Sequence, residues 1–171
     1  MKYLLFPVLL LCVLSTACRK KTYAPPTESY RYCLYEPGTR IDTVYNKDMG
    51  TIQYVPKQDS THASFHYING YNRLDMTDGS FAFHLMFSID SSIHDFSYTD
   101  AQLKEHNTVY SSGYGFGGVS NFQLPDHGTI SGHRLYGNTW QLHIAVDLKS
   151  RDVQTGIDII REDITASSSQ L

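Results

Sequence analysis

Strict alternation of apolar and polar side chains marks two segments of the chain as β-strands. In residues 81–89 every odd position is a large apolar residue, and the even positions hold alanine, histidine, methionine and serine. Residues 140–148 repeat this pattern with the apolar side chains on even positions. Because successive side chains of a strand point to opposite faces, each segment predicts a strand with one strongly apolar face.

Turn residues divide the rest of the chain into shorter strand candidates. Gly137 and Asn138 lie between residues 129–136 and the strand at 140–148, and both tolerate positive φ, so the segment predicts a β-hairpin. Pro-Gly, Lys-Asp and Asn-Gly pairs separate weaker candidates, and alternating apolar residues near the end predict a closing strand. These candidates are residues 30–35, 40–45, 51–55, 64–71 and 153–159.

Helical patterning is confined to residues 99–107, where Thr99 and Gln102 have capping-box spacing. Residues 112–121 are rich in glycine and predict an exposed loop, and residues 165–171 are small and polar and are expected to fray. Eight or so short strands with one short helix at most predict an all-β fold. We favour an antiparallel β-sandwich, with a lipocalin-like β-barrel as the alternative.

Composition limits the domain count and the partners. The 171 residues suit one domain, and 41% hydrophobic residues suffice for a core. A net charge of −3 gives no basic footprint, so no nucleic acid partner is expected. Of the three cysteines, Cys33 is expected to be a small buried residue and not a reactive thiol.

The first residues have the layout of an export signal. Lys2 precedes an apolar segment of signal-peptide length at residues 3–14, and Leu14-Ser15-Thr16-Ala17-Cys18 follows. This ending resembles the lipobox of bacterial lipoproteins. An ordinary signal peptidase would also accept it, leaving a secreted protein with a free Cys18.

The lipoprotein resemblance implies cleavage before Cys18, a diacylglyceryl thioether on that residue and a third acyl chain on its new amino group. Arg19 in place of aspartate implies sorting to the outer membrane, on either of its faces. The expected organisation is a signal peptide at 1–17, a lipidated cysteine with a flexible tether at 18–29, a β-sandwich domain at 30–165 and a disordered tail at 166–171.

In this layout the chain resembles small outer-membrane or surface lipoproteins of unknown function. Local support comes from residues 65–70, 98–101 and 128–132, and none of these segments is a catalytic motif. The resemblance implies a membrane partner through the N-terminal lipid and an all-β domain, and it assigns no activity.

A candidate ligand loop contains Tyr114 and Phe116, two aromatic side chains in the glycine-rich segment. The alternative is that these rings pack back onto the sheet. Gly113, Gly115 and Gly118 match the spacing of a dinucleotide-binding loop, but a βαβ unit is missing from the pattern, so no nucleotide cofactor is expected.

Eight histidines and several acids are candidate metal or catalytic groups. The candidate pairs are His62 with His66, His84 with His143, Glu162 with Asp163, and Asp147 with Asp158. His84 and His143 could meet only if their strands are neighbours, and His127 and His133 could then complete the cluster; solvated histidines on a sheet face are the commoner case. A spacing of four on a strand is about 13 Å and is too long for His62 and His66 to share one ion. Residues 75–79 are explained by a turn better than by a calcium loop. No metal ligand or catalytic residue is assigned.

These observations favour a lipid-anchored, non-catalytic binding or accessory module, with a glycan or a neighbouring envelope protein as its ligand. Two alternatives remain open at this point: a small envelope hydrolase or metal-dependent enzyme, and a lipocalin-like carrier of an apolar ligand.

Overall fold

The structure is a computed structural model that describes residues 27–47, 51–75, 79–114, 122–148 and 159–168. These residues form eight strands and one short helix. The elements are β1 (Thr27–Asn46), β2 (Thr51–Arg73), β3 (Ser80–Asp90), β4 (Asp95–Thr99), α1 (Ala101–Glu105), β5 (Val109–Tyr114), β6 (Pro125–Tyr136), β7 (Thr139–Leu148) and β8 (Ile159–Ser167). The all-β fold predicted from the alternating pattern is confirmed.

All eight strands belong to one mixed sheet, in the order β4-β6-β7-β8-β1-β2-β3-β5. Every neighbouring pair is antiparallel except β1 and β8, which are parallel and place Cys33 opposite Ala166 and Leu34 opposite Ser167. Among the described residues the edge strands β4 and β5 do not pair with each other. The sheet is therefore open, and the closed barrel considered as an alternative is not formed.

The sheet folds so that its two halves face each other, as a sandwich requires. Phe96 on β4 and Phe65 on β2 are separated by five strand steps, which would be about 24 Å in a flat sheet. Their ring centroids lie only 6.1 Å apart. Trp140 on β7 is fully buried and makes an edge contact with the same Phe65 ring at 5.6 Å. One aromatic core thus holds β1, β2 and β3 against β4, β6 and β7.

The strongest sequence patterns are found as predicted. The odd residues of β3 from Phe81 to Ile89 and the even residues of β7 from Trp140 to Leu148 are buried in the core. Gly137 has a φ of 50° and closes the β6–β7 hairpin. Helix α1 is shorter than predicted, and Gln102 Oε1 accepts the Thr99 N–H at 3.1 Å, which is half of a capping box.

The four weaker candidates at the start of the domain were wrong as separate strands, because they merge into one long hairpin of β1 and β2. Pro37 and Gly38 lie inside β1 and not in a turn. The pairing register shifts there, with Gly38 (φ 72°) opposite residues 59–62 of β2. Gly70 lies inside β2, where a Cβ atom would collide with the Phe81 carbonyl and the Tyr30 ring. That close approach, and not a turn, explains the glycine.

The ends of the domain also differ from the expectation. Strand β1 begins at Thr27, so residues 27–29 of the expected tether belong to the sheet. Strand β8 covers residues expected to fray, and Ala166 is fully buried beside β1. Residues 153–158 of the expected closing strand lie outside the described residues.

Candidate functional site

The folded sheet has two outward faces, one on each half of the sandwich. The covered face is the outward side of β1, β2, β3 and β5. The open face is the outward side of β4, β6, β7 and β8. Because side chains alternate along a strand, each face carries the residues that lie between the core positions.

The covered face is shielded by the far part of the β1–β2 hairpin, residues 39–47 and 51–58, which is termed the arm. The Ile41 N–H donates to Ser88 Oγ on β3 at 2.7 Å. Ile41 also packs with Met86 and Val109 in a second buried hydrophobic cluster. Met86 and Ser88 are therefore buried, although alternation in β3 placed them on its less apolar side.

A histidine pair lies on the covered face between β2 and β3. His66 Nε2 and His84 Nδ1 are 2.8 Å apart, so one nitrogen donates and the other accepts. Burial, followed by the charge of His84, lowers the pKa of His66 to about 4. Burial also lowers the pKa of His84. Both rings are neutral at pH 7 and serve as hydrogen-bonded packing.

Cys33 lies in the core, and burial raises the pKa of its thiol to about 12. Because the thiolate is the reactive form of cysteine, this thiol is inert at neutral pH. The prediction of a small buried residue at this position is confirmed.

The open face is a continuous four-stranded surface of polar side chains. Strand register sets these residues in rows that cross β4, β6, β7 and β8 in that order. The two central rows are Asp95–His133–Gln141–Thr165 and Ser97–Ser131–His143–Asp163. Tyr136 and Thr139 form a pair at the hairpin end of the same face.

Each central row contains one histidine bound to one carboxylate. His143 Nδ1 and Asp163 Oδ1 are 2.8 Å apart, with 52% and 76% of their side chains exposed. His133 Nδ1 is bound in the same way to Asp95, and this pair is also solvent-exposed. Both hydrogen bonds use Nδ1, so the Nε2 edge of each ring faces away from its carboxylate.

A shallow pocket of about 210 Å³ lies between these two pairs. Its walls include Ser131, His133, Gln141, His143 and Asp163. Beside it, the side chain of Tyr136 is 73% exposed and lies at the end of the hairpin. The open face therefore combines hydrogen-bonding groups with an exposed aromatic ring.

Ser131, His143 and Asp163 stand in one row, in the order of a serine hydrolase triad. Such an enzyme also needs backbone N–H groups that are free to bind an oxyanion. Strand β6 lies between β4 and β7, and its residues around Ser131 are paired on both sides. Their N–H groups are used by the sheet, so this row suits ligand binding better than acyl transfer.

The candidate ligand residues Tyr114 and Phe116 and the lipid-attachment residue Cys18 are not tested by this surface. Tyr114 is the last residue of β5, with its backbone paired to Phe81. Its side chain, Phe116 and Cys18 lie outside what the structure describes, so their proposed roles remain predictions. Ser112 is buried in β5, so the predicted loop begins later than expected.

His84 and His143 could pair only if their strands were neighbours; β3 and β7 are not neighbours, and the two residues lie on opposite outward faces. His84 bonds to His66 and His143 bonds to Asp163. His127 lies 3.7 Å from Asp100. Of the acids, Glu162 binds Arg31 and Asp147 binds Arg161, whereas Asp158 lies outside the described residues.

Within the described residues, no three histidine, cysteine, aspartate or glutamate side chains are grouped to hold a metal ion. No helix in the described part of the chain is both long and apolar enough to cross a membrane. Comparison with protein families, curated proteins and solved structures gives no match to this chain.

Proposed function

We propose that the protein is a lipid-anchored, non-catalytic binding or accessory module of the bacterial cell envelope, and that the open face is its binding surface. The observation that carries this proposal is the contrast between the two outward faces. An arm of the chain covers one face, whereas the other exposes four strands of polar side chains around a pocket.

The chemistry of the open face favours a glycan as the ligand. Sugar hydroxyls exchange hydrogen bonds with carboxylates, amides and imidazoles, and the pocket is lined by Asp163, Gln141, His133 and His143. A tyrosine ring offers a flat apolar surface with a polar edge, which suits stacking on a sugar ring. Tyr136 places such a ring at the end of the same face.

Affinity electrophoresis of the full-length chain through gels containing candidate envelope polysaccharides tests this proposal. Tyr136→Ala and His143→Ala are expected to lose the retardation shown by the unmodified protein. Tyr45→Ala is the matched control, because Tyr45 is 60% exposed but lies on the arm. Equal retardation of all four proteins would refute the open face as the glycan site.

The sequence-derived ligand loop is tested in the same gels. Tyr114→Ala combined with Phe116→Ala is expected to weaken retardation without changing the melting temperature if this loop adds to the site. Unchanged retardation would remove the loop from the proposal and leave the open face as the binding surface.

The anchor rests on the sequence Leu14-Ser15-Thr16-Ala17-Cys18 and the polar segment after it. Labelling growing cells with a palmitate analogue is expected to mark the unmodified protein and a Cys33→Ser variant, but not Cys18→Ser. Label that persists in Cys18→Ser would contradict lipid attachment. Protease treatment of intact and broken cells then distinguishes the outer surface from the periplasmic side of the outer membrane.

A hydrolase is the second candidate, because Ser131 faces His143 and His143 is bound to Asp163. A fluorophosphonate probe tests it directly, since the probe labels only an activated serine. Labelling lost in Ser131→Ala and kept in Ser97→Ala would establish a catalytic row. The binding proposal predicts no labelling of any of the three proteins.

A further inference from the structure

We propose that His133 and His143 together form a binding site for a divalent transition-metal ion of the zinc type on the open face. This site goes beyond the proposed envelope role, because it depends only on strands β4, β6, β7 and β8. It requires neither the lipid nor a glycan.

Strand register brings the two imidazoles to neighbouring positions. His133 faces Gln141, and His143 faces Ser131, across the β6–β7 ladder. The histidines are thus diagonal neighbours on one side of the sheet, at a separation of about 7 Å that long or aromatic side chains can span. Both of them line the same pocket.

The carboxylates turn the two rings toward each other. Asp95 binds His133 from β4, and Asp163 binds His143 from β8, so both carboxylates lie on the outer sides of the β6–β7 pair. In an imidazole, Nδ1 and Nε2 lie on opposite sides of the Cβ–Cγ axis. Because both Nδ1 atoms are held outward, both Nε2 atoms face inward, above the ladder and into the pocket.

A carboxylate on Nδ1 also prepares each ring to bind a metal. The hydrogen shared with the carboxylate places the proton on Nδ1 and leaves the Nε2 lone pair available for coordination. Neutral imidazole nitrogens suit zinc, copper and nickel ions, at about 2.0–2.1 Å for zinc. With two nitrogens from the protein, the remaining coordination positions are open to water or to oxygen atoms of a bound ligand.

The other histidines of the described strands lack this arrangement. His66 and His84 use ring nitrogens to bind each other. His62 Nδ1 lies 3.2 Å from Asp59 Oδ2, but His62 faces Asp90 and not a second histidine. His62 therefore provides a matched control, since it is one carboxylate-bound imidazole without a partner ring.

Isothermal titration calorimetry of zinc binding to the full-length chain in detergent tests the site. The unmodified protein is expected to bind one equivalent of zinc at this site. His133→Ala and His143→Ala are each expected to lose it, and His62→Ala is expected to keep it. Asp163→Asn is expected to weaken that equivalent by about 10- to 100-fold, because the carboxylate only orients its ring. The cysteines are present in every variant, so any thiol-bound ion persists in all of them.

Two results would overturn the proposal: no zinc bound by the unmodified protein, or one equivalent retained in both His133→Ala and His143→Ala. Circular dichroism and melting temperature confirm that each variant is folded. The glycan experiment is repeated with a chelator, so its result does not depend on the ion. Zinc bound without polysaccharide retardation would leave the metal site standing and refute only the glycan proposal.

Discussion

The two outward faces of the sheet carry histidines in opposite surroundings. On the covered face His66 and His84 bond to each other, and burial keeps the pKa of both rings below its ordinary value. On the open face His133 and His143 each bond to an exposed aspartate. The arm packs on the same face as the buried pair, where Ile41 contacts Met86 and Ser88. A histidine on the outward side of a strand is therefore either buried in packing or accessible to a ligand, depending on whether another part of the chain covers that side.

The largest effect of a substitution on stability is expected in the core between the two halves of the sheet. Phe65 on β2 stacks with Phe87 at 4.9 Å and makes an edge contact with Trp140 on β7. Phe65→Ala leaves a cavity in this shared core and is expected to lower the free energy of unfolding by about 3–5 kcal/mol in urea denaturation. Leu135→Ala, at a half-exposed position, is the control. Equal losses in the two variants would contradict a single aromatic core.

The arm is the next test, because it packs on the covered face. Ile41→Ala removes the side chain that packs with Met86 and Val109, and is expected to cost about 2–4 kcal/mol. Amide hydrogen exchange of the variant is expected to speed up in the arm while β7 stays protected. If the arm kept its protection, its packing would not depend on this cluster.

Acid is expected to destabilise the folded chain through the covered face. The pKa of His66 in the folded chain is lowered to about 4. Between about pH 4 and 6.5 the unfolded chain therefore binds a proton at His66 that the folded chain does not bind. Stability is therefore complete above about pH 6.5 and falls as the pH decreases toward 4, with a limit of about 3 kcal/mol for this residue.

His66→Phe is expected to flatten this part of the stability curve, as measured by chemical denaturation at several pH values. If the free energy of unfolding of His66→Phe still fell with decreasing pH as steeply as that of the unmodified protein, the buried histidine pair would not be the cause of the acid sensitivity.

The smallest effect on stability is expected on the open face. His143 and Asp163 are mostly exposed, and exposed ion pairs contribute about 0–1 kcal/mol. Asp163→Asn is expected to change the melting temperature by no more than about 4 °C while weakening zinc binding. A large loss of stability in this variant would mean that the pair supports the fold.

Sequence periodicity was sufficient for the strands whose core faces are continuous. Residues 81–89 and 140–148 alternate without interruption, and both are strands with the predicted buried faces. The prediction of turns at Pro37-Gly38 and Asn69-Gly70 was wrong, because a register shift within a strand pair and a close backbone approach use the same residue types as a turn. Local sequence does not distinguish these uses.

The open-face site could not be predicted from local sequence, because it depends on strand register and strand order. A two-residue hairpin loop that pairs Tyr136 with Thr139 would place Ser131 opposite Ile144. A bulge between Arg134 and Tyr136 shifts the register by one residue, so Ser131 faces His143 instead. Asp163 and Asp95 come from strands whose positions in the sheet depend on the complete fold. The histidines were visible in the sequence, but their carboxylate partners were not.

Histidine modification by diethylpyrocarbonate, read by mass spectrometry on purified protein and on intact cells, tests the contrast between the faces most directly. The purified chain is expected to react quickly at His133 and His143 and slowly at His66 and His84. On cells, the proposed function predicts that His133 and His143 become protected by a ligand bound to the open face. Equal reactivity of all four histidines, or no protection on cells, would contradict the open face as the binding surface.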